Sequence, residues 1–199
     1  HKLPRVSFNL TLNNAPFTEG NKKGVDELTS NLIGNGSKIT TKAAFNEEID
    51  FWGVDINFSS HGATANSLSK YSVRVLELMA EGVLHPNFTQ EDFDKEKAKL
   101  IEGMKAEEKS VPAIASRVVD VLAFGKNHPS GEFMTEETLH NITLTDVETN
   151  YKTYFVPENA YLVVIGDINF DQTKAAIESL FGNWAHKTAP ILPYIDPEN

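Results

Sequence analysis

Residues 24–32 read Gly24-Val25-Asp26-Glu27-Leu28-Thr29-Ser30-Asn31-Leu32, and the organisation of the chain follows from how this stretch is taken. Val25, Leu28, Leu32 and Ile33 recur at helical spacing, which predicts an amphipathic helix with Glu27, Ser30 and Asn31 grouped on its polar side. Gly34-Asn35-Gly36 ends that helix, and the stretch from Asn13 to Lys23, with Pro16 and Gly20, reads as a surface loop leading into it. Upstream, Val6, Phe8, Leu10 and Leu12 alternate with Ser7, Asn9 and Thr11, the period of a strand with one buried face.

Downstream, a helix is expected from Thr41 to Trp52, with Ala44, Phe45, Ile49 and Trp52 on a core-packing face and Gly53 as its cap. Val54–Ser59 and Ala63–Ser69 read as two antiparallel strands around His61-Gly62. Helices follow from Tyr71 to Leu84, stopped at His85-Pro86, and from Thr89 towards Lys109, with Phe93, Leu100, Ile101 and Met104 as the buried stripe. Another runs from Val111 to Phe124, with Pro112 in its first turn. Lys126 to Met134 reads as a loop, and Thr145-Asp146-Val147-Glu148 as a capping box opening a helix through Tyr154. Ala160 to Ile165 is a continuous apolar run, expected to be a central strand buried on both faces, and a final helix spans Asp171 to Phe181.

This order predicts an α/β (α+β layered) domain, one mostly antiparallel sheet covered by several helices. The expected division is a single domain over 1–188, with the proline-containing tail at 189–199 starting a linker.

Composition narrows the partners. A net charge of −10 disfavours nucleic acid and anionic membrane surfaces. No apolar run approaches the ~20 residues of a membrane span, so membrane insertion is not expected. The absence of cysteine excludes disulfides and thiolate metal sites and fits oxidising and reducing compartments alike.

Catalytic zinc needs three nitrogen or carboxylate ligands and an open position for water. The histidines are His1, His61, His85, His128, His140 and His186, and no two stand three to five residues apart, so no helix carries a histidine pair. Glu107-Glu108 and Asp92 with Asp94 read as solvated helix charges, and Ser59-Ser60-His61 as a turn without a nucleophile-elbow pattern. Neither a phosphate-cradling glycine loop nor a dinucleotide fingerprint occurs.

Several local patterns, taken in order, resemble the pitrilysin/insulinase metallopeptidases over nearly the whole chain: the Gly24 helix, Gly36-Ser37-Lys38, His85-Pro86-Asn87-Phe88, Leu122-Ala123-Phe124-Gly125 with His128-Pro129 and Gly131, and Tyr154-Phe155-Val156-Pro157-Glu158-Asn159 leading to Val163-Val164-Ile165-Gly166-Asp167. The resemblance aligns the family's H-x-x-E-H with Glu27-Leu28-Thr29-Ser30-Asn31. Both histidine ligands, at Glu27 and Asn31, and the general-base glutamate, at Ser30, are then missing. The third ligand falls on Gly103, which has no side chain, and Glu96 alone matches a retained carboxylate that flanks the metal in the family.

The resemblance therefore implies a catalytically silent domain with no metal or cofactor of its own, zinc residing in an active pitrilysin-like partner half or subunit. It implies extended or unfolded peptides as the bound species, near Val6–Leu12 and Val54–Ser59, and a further strand preceding residue 1. Two other readings stand beside it: an active zinc endopeptidase with an unrecognised metal site, and a stand-alone peptide-binding or structural module. A bacterial periplasm or cell envelope is favoured over cytoplasm or an organelle matrix.

Overall fold

β1 (Arg5–Leu12) turns Val6, Phe8, Leu10 and Leu12 into the core and leaves the residues between them on the other face, as the alternation predicts. The computed structural model describes residues 4–107 and 109–194. His1, Glu108 and the end of the expected linker lie outside the described residues.

β1 sits inside a four-stranded sheet ordered β2-β3-β1-β4, with β2 at Asp55–Ser59, β3 at Gly62–Leu68 and β4 at Ala160–Gly166. Every pairing is antiparallel: Phe8 stands opposite Ala65 on one side and Val164 on the other. The apolar-poor β3 is an inner strand because its Ala63 and Ala65 are small enough for α3 (Ser72–Leu84) to approach closely, and that helix buries Val75, Leu76, Met79 and Val83.

Helices cover one face of the sheet. α3 and α8 (Phe170–Phe181) complete the first core with the inward side chains of all four strands. A second core forms away from the sheet, among α1 (Val25–Leu32), α4 (Gln90–Glu107), α6 (Glu136–His140) and α7 (Leu144–Tyr154), around Leu28, Leu32, Phe93, Leu139 and Val147. Gly24 opens α1 at φ 108°, a conformation that L side chains rarely adopt, so the backbone there favours glycine.

Several expectations need correction. β4 is an edge strand, with Tyr161, Val163 and Ile165 exposed at 61%, 49% and 69%; an apolar run is compatible with an inner strand and with an edge whose outer face is uncovered, and periodicity cannot separate them. The capping box before α7 is Thr143 with Asp146, two residues ahead of Thr145, because that pair closes both reciprocal bonds. A second box, Thr135 with Thr138, starts α6 just after the expected loop, in a stretch for which the sequence predicts no element. On α2 (Lys42–Trp52) only Phe45 is buried; Ala44 is exposed, and Ile49 and Trp52 are half-covered. α5 (Val111–Phe124) forms where expected, capped by Ser110, yet none of its residues is buried.

Of the two strands expected to flank a peptide-accepting edge, β2 is an edge and β1 is interior. The tail begins by packing back: Ala189 is buried, and the Tyr194 ring meets His128 edge-on.

Candidate functional site

The amino end of α1 is held by carboxylates reached from distant loops. Glu19 accepts hydrogen bonds from the backbone N–H groups of Gly24 and Asp26, both at 3.0 Å, and from Lys23 Nζ. Gly24 supplies no side-chain cap, so Glu19 satisfies the free donors of the first turn and places negative charge at the positive end of the helix dipole. Glu132 in turn accepts from the N–H groups of Glu19 and Gly20, fixing the loop that carries Glu19.

The next turn of α1 is tied to the β2–β3 turn and to α7 by one polar network. Ser30 donates to Ser60 Oγ at 2.8 Å and accepts from the Ser60 N–H at 2.9 Å; Ser60 donates to Asp26 Oδ2 at 2.9 Å. Asn150 of α7, itself buried, donates to Asp26 Oδ1 and to Thr29 Oγ1, each at 3.1 Å. His61 Nε2 lies 3.1 Å from Asp26 Oδ2.

Burial works to raise the Asp26 pKa, but the bonds from His61, Asn150 and Ser60 outweigh it and hold the carboxyl below its usual range. The bond to Asp26 raises the His61 pKa against the opposing effect of partial burial. Buried polar groups bonded in this way rigidify a junction, since each would be costly to leave unpaired.

A cleft of roughly 790 Å³ opens beside this network, between α1, the end of α4, α5 and the Glu132–Met134 loop. It is here that the structure brings Glu27, Ser30 and Gly103 together. A Cβ on Gly103 would meet nothing within 4 Å, so that side of the cleft is open. Asn31 is exposed and is not among the residues lining the cleft, and Glu96 stands back from it, in an ion pair with Lys99 at 2.7 Å. Glu27 is exposed, but partial desolvation by the cleft walls raises its pKa, with Glu19 and Glu107 adding like-charge repulsion. Lys23, Lys99 and Arg117 supply the cations of the cleft.

The donors do not fit a catalytic zinc. Position 27 offers one carboxylate, the Ser30 hydroxyl is committed to Ser60, the Asn31 amide lies off the cleft, and Gly103 has nothing to coordinate with. The nearest imidazole, His61, already bonds Asp26. Among the described residues, no group of three or more His, Asp or Glu is arranged to hold a metal ion.

The sequence model described as "Peptidase M16 inactive domain" matches residues 141–199. Along nearly the whole chain, 98% of it, runs a 21% identity over 202 residues to the "Non-peptidase homolog YmxG" of Helicobacter pylori (strain ATCC 700392 / 26695). The chain is thus similar to inactive-type M16 domains, most directly over residues 141–199. The "Uncharacterized zinc protease YmxG" of Bacillus subtilis (strain 168) is 24% identical over 170 residues, covering 82% of the chain. Two crystal structures share the fold: the M16 inactive domain from Pseudomonas fluorescens, with a TM-score of 0.85 at 20% identity over 98% of the chain, and one described as a protease from Helicobacter pylori, with 0.82 at 19% over 97%.

The chain spans about half the length of each of these relatives: 47% and 41% of the two YmxG proteins, 48% and 49% of the two crystallised chains. No helix among the described residues is long and apolar enough to cross a membrane.

Three of the four positions that the resemblance aligns with zinc ligands and base, Glu27, Ser30 and Gly103, line one cleft although they come from two helices. The sequence reading missed Asp26, Ser60, His61 and Asn150, which tie the cleft wall together. The only signal available was a carboxylate next to the predicted polar face and a serine-histidine turn, and neither discloses that a third element, α7, closes the network.

Proposed function

We propose that this chain is the non-catalytic half of a two-part peptidase, shaping a chamber and contacting extended peptide while an H-x-x-E-H-bearing half or subunit holds zinc and performs hydrolysis. The observation that carries this reading is the cleft. Glu27, Ser30 and Gly103, the positions that the resemblance aligns with zinc ligands and base, line one cleft, their chemistry does not suit zinc, and Ser30 takes part in the network that ties α1 to β2–β3 and α7. The wall of this cleft thus has a structural role in joining α1 to β2–β3 and α7.

β2 suits the peptide-contacting part. It is an edge strand beside α1, so a peptide adding to it as a further strand would gain sequence-tolerant main-chain bonds and run past the cleft mouth.

Co-expression with an M16 chain that carries H-x-x-E-H tests the proposal. The expected result is a stoichiometric complex in which a fluorogenic peptide is cleaved, with this chain alone giving neither turnover nor tightly bound zinc. One equivalent of zinc in this chain alone, with activity lost on chelation, would favour instead the zinc-protease description given to the Bacillus relative.

A further inference from the structure

The ionic groups that line the cleft fall into two sets. Most are already committed: Asp26 to Ser60, Asn150 and His61, Glu19 to Lys23 and the first turn of α1, Glu132 to the backbone of Glu19 and Gly20, and Lys99 to Glu96. Glu27, Glu107 and Arg117 line the same cleft, and their side chains form no hydrogen bond or ion pair among the described residues. Glu27 lies on α1 and Glu107 at the end of α4, whereas Arg117 lies on α5. Opposite charges that share one cleft yet do not meet are complementary to a ligand that carries both signs. Leu100, Phe133 and Met134 add apolar surface to the same lining.

Building on the peptide-contacting part of the reading above, but not on its partner half, we propose that this cleft binds the carboxyl-terminal lysine or arginine of a peptide. The side-chain cation sits against Glu27 and Glu107, the terminal carboxylate against Arg117, and the aliphatic stem on the apolar lining.

The cleft selects this ligand over simpler ones. Among the described residues no group of three or more acids or histidines is arranged to hold a metal ion, so two carboxylates suit an ammonium or guanidinium better. A phosphate is disfavoured because the lining holds five carboxylates against three cations, and a singly charged carboxylate meets less repulsion. Desolvation and the like charges of Glu19 and Glu107 raise the Glu27 pKa, a cost that a ligand cation beside the two free carboxylates offsets. The cleft volume of about 790 Å³ lies within the ~300–1,000 Å³ of small-ligand pockets and admits a peptide end rather than a folded partner.

The test uses the full chain alone, titrated calorimetrically with a short acetylated alanine peptide ending in lysine, with its carboxyl-terminal amide, and with the same peptide ending in norleucine. The account expects saturable binding of the lysine acid, about tenfold weaker binding of the amide and of the norleucine peptide, and a loss of affinity with added salt. Glu27→Gln/Glu107→Gln should erase the preference for lysine over norleucine, and Arg117→Gln the preference for acid over amide. A merely structural role for these side chains would instead lower all three affinities together, and would overturn the proposal. Equal affinity for the three peptides, or no saturable binding of the lysine acid by the parent, would overturn it as well, and the peptide series on the parent decides this even where a variant fails to fold. Either result leaves the partner-half reading to its own co-expression test, which needs a second chain and does not depend on this preference.

Discussion

The two helices facing each other across the cleft, α1 and α5, are opposites in how their side chains are used. α1 buries its apolar side in the second core and commits most of its polar side: Asp26, Thr29 and Ser30 all have partners on β2–β3 or α7. α5 has the more apolar sequence, yet none of its residues is buried as a whole, and its buried Arg117 Nη2 has no hydrogen-bond partner among the described residues. Hydrophobic content therefore does not rank the two by their contribution to folding. The fully bonded polar network does, because removing one member strands others in a low-dielectric setting. α1 is tied into the fold by these bonds, whereas α5 packs only through half-covered residues.

Asp26→Ala should break that contrast most severely. It removes the acceptor for Asn150, Ser60 and His61 and should cost about 2–3 kcal/mol in urea melts, since buried donors are left unmet. A loss comparable to that of an ordinary surface substitution would show that the network does not stabilise the junction. Ser30→Ala strands the Ser60 N–H and should cost about 1 kcal/mol in the same measurement. The fourfold variant Glu27→His/Ser30→Glu/Asn31→His/Gly103→Glu gives up the same Ser30–Ser60 bonds. It should gain measurable but weak zinc binding, with little or no hydrolysis, because groups that would orient the new ligands are missing; zinc isotherms identical to the parent's would show that these positions do not converge.

The legible part of this molecule was the part dictated by local periodicity and capping. β1, α1, α3, α4 and α8 lie where their apolar spacing puts them, and the antiparallel, helix-covered sheet follows from their order. β4 was not legible as an edge, because an apolar strand looks the same whether its second face is covered or open. α5 was legible as a helix but not as an exposed one, for the same reason. Within the cleft, Glu27, Ser30 and Gly103 could be brought together only through the family resemblance, since 27 and 103 are far apart in sequence. Asn150 was not legible at all; a polar residue on an amphipathic helix gives no sign that it is buried until its partners on another helix are known.

Acidity offers a finer probe of the α1 side. His61 is raised above its ordinary value of 6.5, so the stability it contributes is complete below pH 6.5 and is lost as pH rises through its folded-state pKa. Asp26 is lowered below 3.8, so its contribution is present above that value and is lost as pH falls through the folded-state pKa. The pair is thus strongest between these limits. Because His61 is largely exposed, the effect should amount to no more than ~0.5 kcal/mol after solvent screening. His61→Ala should remove it from a pH series of melts, and an unchanged upper limb would place the titration elsewhere. The smallest effect belongs to the exposed positions: Glu27→Ala with Asn31→Ala should shift stability by no more than about 0.5 kcal/mol, and a larger loss would mean that these side chains are part of the packed wall.

The polar side of α1 forms a structural junction beside a cleft whose donors do not fit a catalytic zinc. Calorimetric titration of the parent chain with zinc, after dialysis against chelator, tests it most directly. The account predicts heats indistinguishable from dilution and no hydrolysis of a fluorogenic peptide. A saturable site at one zinc per chain, with peptide cleavage that appears on loading and disappears on chelation, would contradict it.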